Sequence, residues 1–362
     1  MDDRDLKKRR RDSEYKVEKI KSGIGGVGMK NFLIGNDAKP VFGFHKGPID
    51  NLNINQYVLP GKFKMTFAGR KLMETFRHKR WLFTGVYCKN FIFGMAMVHA
   101  GYLSELFLYV FDRKDKSIKQ FDFLVPFALN TDFTGSAAEG RFKFKNSGAD
   151  AQVILSAKEV LVKCEIHNRV KIDIAFTRMK DGLNLVTMEG NNGFNYTMKE
   201  CGMKAKGSIT IDGKEYAVKR AIPSGSMDFS FGILKRHTVW DWASGCGTDT
   251  KGNNLSFNFS RGINKNEHSE NAFWVNGRRF DAGITDFLYD EKDMMKEWKV
   301  KNKNVNIVFK PEGQRAANIN VLLIKSVYSQ PFGTFSGYIK HGKNKYIIKE
   351  AYGVTEKHEA KW

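Results

Sequence analysis

The chain reads as an all-β protein, two meandering antiparallel barrels behind a charged N-terminal tail. Three observations predict this. Strand-length segments with period-two alternation recur from residue 40 onward, as in GRFKFK, AQVILSA, RVKIDIAFTR and LNLVTME, with Gly, Asn and Asp between them. Two-residue hairpin turns are explicit at Asp212-Gly213 and Asn276-Gly277, pairs that accept positive φ at both positions. Only 7 prolines occur among 362 residues, which suits long, continuously paired strands. Strands in close sequence order, joined by hairpins, meander into sheets that close on themselves and leave no exposed edge. At about 100–200 residues per domain, two such units are expected. The boundaries expected are a charged and Gly-rich arm at 1–29, a first barrel at 30–203 and a second at 204–362.

The tail differs in kind from the rest. MDDRDLKKRRRDSEYKVEKIKS is almost wholly charged, and Lys7, Lys8, Arg9, Arg10 and Arg11 form an unbroken basic run. Such a run is a solvated or docking arm, with nuclear import as the alternative. Asp2, Asp3 and Asp5 argue against a mitochondrial presequence, which is poor in acids. Gly23-Ile24-Gly25-Gly26-Val27-Gly28 is a literal GxGxxG. It lacks the buried strand before it and the helix after it that a dinucleotide site requires, so no cofactor is expected from it.

Beyond the tail, Phe91 to Phe111 is apolar and about as long as a membrane span. His99, Ser104 and Glu105 interrupt it, so it reads as two buried strands turning near Gly101. Disorder is excluded for most of the chain by 13% aromatic residues, led by 29 Phe. The 4 cysteines, Cys88, Cys164, Cys201 and Cys246, show no CxxC spacing. Neither a disulfide scaffold nor a zinc ribbon is expected, and a reducing, intracellular setting (cytoplasmic or cytoskeletal) follows. The 60 Lys and Arg against 39 Asp and Glu leave a formal charge of +21. A diffuse basic surface favours an acidic partner such as a protein polymer, nucleic acid or anionic lipid, although compositional drift can produce part of the surplus. No recognition helix, zinc finger or RNP aromatic word makes sequence-specific nucleic-acid binding an expectation.

The second half carries the distinctive words. Arg236-His237-Thr238-Val239-Trp240-Asp241-Trp242-Ala243-Ser244-Gly245 places Arg236, Thr238, Trp240 and Trp242 on one strand face. Asn258, Glu270-Asn271, Gln330-Pro331-Phe332-Gly333-Thr334-Phe335-Ser336-Gly337 and a final Gly353-Val354-Thr355-Glu356 ending on Trp362 follow in order. These words resemble domain-of-unknown-function family 2804, over roughly residues 30 to 362. That family is similar to the tandem-lipocalin group that includes carotenoid hydratases, kievitone-hydratase-like proteins and cyclase-type barrels. The resemblance implies two lipocalin-like barrels and no established reaction. It also exposes a departure. Where the family shows Asp-Trp-x-Arg-Gly, this chain has Asp228-Phe229-Ser230-Phe231-Gly232, so a charge-bearing arginine is replaced by Phe231.

Candidate site residues follow from chemistry. An acid in an apolar barrel has its pKa raised and can protonate an alkene, which makes Asp228, Glu270 and Glu356 the catalytic candidates. Asp241 also lies beside a distinctive word. Acids next to Arg236 or Lys357 are read first as structural ion pairs. Arg236, Trp240, Trp242, Asn258 and Asn271 are the candidate ligand-binding residues, since a buried tryptophan needs a partner for its indole N–H. His237 and His358 have no metal-ligand spacing, so no metal is expected. Three functions stay open: binding of a hydrophobic small molecule or lipid without strong catalysis, a cofactor-independent hydratase, isomerase or cyclase, and a basic structural component docking on an acidic partner through Lys7 to Arg11.

Overall fold

Period-two alternation becomes strand pairing almost throughout the computed structural model, which describes residues 30–58, 66–219, 222–263, 268–321 and 324–361. The basic run Lys7 to Arg11, the GxGxxG word and Trp362 lie outside the described residues. The first sheet begins with a two-residue strand β1 (Gly43–Phe44), followed by helix α1 (Phe67–Phe76). Hairpin-linked β2 (His78–Tyr87), β3 (Phe91–His99), β4 (Leu103–Asp112) and β5 (Ser117–Pro126) come next. The apolar stretch at 91–111 is thus two strands, with Gly101 at φ 87° in the turn between them.

A second meander comprises β6 (Thr131–Phe133), β7 (Gly140–Lys145), β8 (Ala149–Leu155), β9 (Glu159–Ile166) and β10 (Val170–Thr177). β11 (Leu183–Met188), β12 (Phe194–Ile211), β13 (Lys214–Val218) and β14 (Gly225–Ile233) complete a 14-stranded sheet with the main order β5-β4-β3-β2-β14-β12-β10-β9-β8-β7-β6. β12 is the hinge of this curl. Its first half pairs with β11 and β14, its second half with β10 and β13, and the change occurs at a bulge around Gly202, whose φ is 94°.

The second sheet has nine strands: β15 (His237–Asp249), β16 (Asn254–Arg261), β17 (Ala272–Val275), β18 (Arg278–Asp281), β19 (Asp286–Leu288), β20 (Trp298–Lys301), β21 (Val305–Val321), β22 (Ile324–His341) and β23 (Asn344–Lys361). Its order is β18-β17-β16-β15-β23-β22-β21-β20-β19, antiparallel at every pairing. Both expected hairpins form, with Asp212 and Gly213 at φ 50° and 81° and Asn276 and Gly277 at 50° and 84°. The expected junction at 203 and 204 needs correction. It falls inside β12, and β14 sits at the centre of the first sheet between β2 and β12, so the change of sheet comes after Ile233. The bulge lets one continuous strand serve both halves of the curl, so no break is required there.

Each sheet curls around its own apolar interior. The first is filled by residues such as Leu82, Phe93, Met97, Phe142, Ile174 and Phe229, the second by Phe257, Phe259, Trp298, Phe309 and Phe335. A third apolar layer joins the outer faces of the two sheets, where Phe83, Tyr87, Ile92, Tyr109 and Phe111 meet Trp242, Trp274, Phe332 and Val354. β3 is therefore buried on both faces over Phe91–Val98, and period two disappears from its sequence. Two of the family glycines serve close packing: Gly245 and Gly353 face each other across β15 and β23, and a Cβ at Gly353 would lie 2.0 Å from the Ser244 carbonyl oxygen.

Candidate active site

Where the outer faces diverge, they leave a cavity of about 80 Å³. The first sheet contributes Trp81 and Phe83 from β2, Lys199 from β12, and Asp228 and Ser230 from β14. The second contributes Trp240 and Trp242 from β15, Gln330 from β22, Glu356 from β23, and Glu270 just ahead of β17. The cavity lies between the sheets, lined from both.

Alternation explains who faces it. On β14, Asp228 and Ser230 line the cavity while Phe229 and Phe231 enter the first interior. Phe231 stacks edge-on against His78 at 4.4 Å and stands opposite Arg80 in the β14–β2 ladder. Position 231 thus belongs to the interior packing, although Arg80 across the ladder from it also borders the cavity.

All three candidate acids converge here. Lys199 is 4% exposed and sits directly across the β12–β14 ladder from Asp228. Its ammonium contacts Asp228 Oδ2 and lies 3.6 Å from Glu270 Oε1. Asp228 Oδ1 is buried without a hydrogen-bond partner among the described residues. Burial, with the neighbouring charges of Glu270 and Glu356, pushes the Asp228 carboxyl up to about 6 against the pull of Lys199. Burial opposes the Lys199 ammonium, but the two carboxylates hold its pKa above the usual lysine value. One cation thus serves two acids, and the third stands nearby.

Glu356 is held from the other side. Trp240 Nε1 donates to its Oε1 at 2.8 Å and Gln330 Nε2 donates to its Oε2 at 2.7 Å. His358 packs on Trp240 with ring centroids 4.1 Å apart. Trp242 donates through Nε1 to Asn258 Oδ1 at 2.8 Å, and Asn258 Nδ2 donates to the Glu270 carbonyl at 3.0 Å. Asn258 thus stands behind the wall, fixing an indole and the loop that carries an acid.

Other candidates belong elsewhere. Arg236 is exposed, precedes β15 and does not line the cavity, because the strand it was assigned to starts at His237. Asn271 ties its position to β16 and to the segment after β18, accepting from Ser260 N and donating to Gly283 O and Thr285 Oγ1. Asp241 is a structural acid, paired with Arg261 and accepting from Tyr289 at 2.6 Å. Gln330 stands in a distinctive word without having been given a role, and Lys199 and Trp81 escaped sequence reasoning altogether. Their only signal is polarity or bulk at alternate positions of long strands. Among the described residues, no group of three or more His, Cys, Asp or Glu is arranged to hold a metal ion, and no helix is long and apolar enough to cross a membrane.

Solved structures share this architecture. CghA superposes with a TM-score of 0.52 at 9% identity, over 79% of this chain and 88% of that one, and its structure with Sch210972 with 0.51 at 10%. The kievitone hydratase of Nectria haematococca gives 0.46 at 11%, covering 89% and 98%, and a protein described as AttH from Nitrosomonas europaea gives 0.48 at 14%, covering 83% and 98%. At such identities the likeness concerns the fold, and the CghA superposition supports it: two curled antiparallel sheets of the tandem lipocalin-like kind. No curated protein sequence matches significantly. The profile of the domain of unknown function DUF2804 matches residues 31–362, through both sheets, and the chain belongs to that family.

Proposed function

We propose that the cavity is an acid–base site acting on the unsaturated part of a hydrophobic small molecule, as a hydratase, isomerase or cyclase that needs no cofactor. The observation that carries this is the buried, unpartnered Oδ1 of Asp228 in a wall shared with Glu270 and Glu356. A carboxyl whose pKa is raised to about 6 is protonated in an appreciable fraction near neutrality and can donate to an alkene. The cation formed would meet the indole faces of Trp81, Trp240 and Trp242. It is quenched by loss of a proton or by addition of water, directly or after a second double bond has trapped it as a new cation, and the proton released returns to the Asp228 carboxylate directly or by way of Glu356. Glu356, anchored by two N–H donors, is placed to receive the departing proton or orient water. The cavity is small beside drug-sized sites of about 300 Å³ and more, so it suits the reacting portion of a ligand.

The Lys199 bridge favours a second reading, in which the acids are satisfied and the cavity binds without turnover. Incubation with extracted lipids and terpenoids in D₂O separates the two. The acid–base reading expects carbon-bound deuterium in a product, lost in Asp228→Asn. Ligands retained by the protein but never deuterated or altered would leave binding alone.

A further inference from the structure

Cys201 and Cys246 come from different sheets and meet beside the cavity. Cys201 lies on β12 two residues beyond Lys199 on the same face, and Cys246 lies on β15 four residues beyond Trp242. Their sulfurs are 3.7 Å apart, and the two residues are 1% and 2% exposed. Both are free thiols. We infer that this pair is a redox modification site, at which a peroxide closes a disulfide that staples the two sheets next to the acid cluster.

The surroundings fit a reactive pair. Ser244 Oγ lies 3.3 Å from Cys201 Sγ, and Ser226 Oγ lies 3.2 Å from Ser244 Oγ. Burial raises the Cys201 thiol, but hydrogen bonds from Cys246, Ser244 and Ser226 outweigh it and hold its pKa below the usual value, while burial and the facing Cys201 sulfur push Cys246 up. The roles divide accordingly. The Cys201 thiolate attacks one peroxide oxygen, the O–O bond breaks, and for hydrogen peroxide the leaving hydroxide takes up a proton as water. The Cys246 sulfur then attacks the Cys201 sulfenic acid, the S–O bond breaks, and a second water leaves with the Cys246 proton. Two thiols and one hydrogen peroxide give one disulfide and two waters. The new bond of about 2.0 Å draws together groups now in contact. Cys164, inside the first sheet, has no such neighbour among the described cysteines, and Cys88 lies beyond β2 at its turn.

The test uses the reduced full-length chain, treated with hydrogen peroxide under native conditions, then blocked with an alkylating reagent and mapped by non-reducing proteolysis and mass spectrometry. The expected result is loss of two of the 4 alkylatable thiols and a cross-linked peptide pair joining Cys201 to Cys246, reversed by dithiothreitol. Cys246→Ser should abolish the cross-link and leave Cys201 as a sulfenic acid trapped by dimedone. All four thiols still alkylatable after treatment, a bridge to Cys88 or Cys164, or sulfonic acid at Cys201 without any cross-link would overturn the inference. The wild-type map decides the matter even if the variant fails to fold.

Discussion

Lys199 stands directly across the ladder from Asp228, and its ammonium contacts one oxygen of that carboxylate while the other has no hydrogen-bond partner among the described residues. The second contact of the same ammonium, to Glu270, reaches from the first sheet to the second. A single lysine therefore both holds the sheets' acids together and leaves one of them under-satisfied.

Asp228 should titrate near pH 6. Its folded pKa exceeds the ordinary aspartate value of 3.8, so the folded state binds the proton more tightly than the unfolded chain. This group's contribution to stability is present in full below about pH 4 and declines as pH rises through 6. An infrared carboxylic-acid band titrating near that pH and absent from Asp228→Asn would bear this out; a wild-type chain without such a band would refute it.

Removing the lysine should cost far more than removing either acid. Lys199→Met leaves Asp228 and Glu270 buried without their cation, a loss of about 3–5 kcal/mol at neutral pH. Acidification should recover part of it by neutralising the carboxylates. Urea unfolding at pH 5 and pH 7 measures both effects, and equal loss at the two values would contradict the arrangement.

Asn258→Ala should separate stability from ligand contact. It leaves the Trp242 indole N–H without its acceptor, which costs about 1–3 kcal/mol. Deuterium incorporation should be reduced but not lost once the variant is folded, because Asn258 positions Trp242 and the Glu270 loop without itself lining the cavity. Denaturation and the D₂O assay together give the answer.

Phe231→Arg restores the residue found at that place in the family pattern. It should not enhance activity. Position 231 packs among the apolar side chains of the first interior, edge-on to His78 and opposite the half-buried Arg80, so a guanidinium there loses that packing beside a like charge and should destabilise by roughly 3 kcal/mol or more. A stable variant with raised turnover would show that the side chain reaches the cavity after all.

Much of this was readable from residues alone. The turns at Asp212-Gly213 and Asn276-Gly277 and the strand pair within 91–111 follow from local chemistry, whereas Asp228, Glu270 and Glu356 stood out only for the distinctive words beside them. The sheet boundary did not, because the bulge at Gly202 redirects β12 without any loop to announce it. The location of the cavity was also hidden. Strands such as β3 are apolar on both faces, and nothing in their spelling says which face meets a barrel interior and which meets another sheet. Arg236 and Asn271 were attractive for their neighbours in the sequence, yet one falls before the strand begins and the other spends its side-chain hydrogen bonds on β16 and the segment after β18.

Because the cavity walls are outer faces, the residues that shape it are largely distinct from those that fill either curl. Selection can therefore exchange Trp81, Ser230 or Gln330 for a new ligand with little disturbance to the interior cores, and can repack a core with little change at the acids. Relatives of this chain should accordingly diverge fastest along the seam in what they accept, while inheriting the same pair of curled sheets.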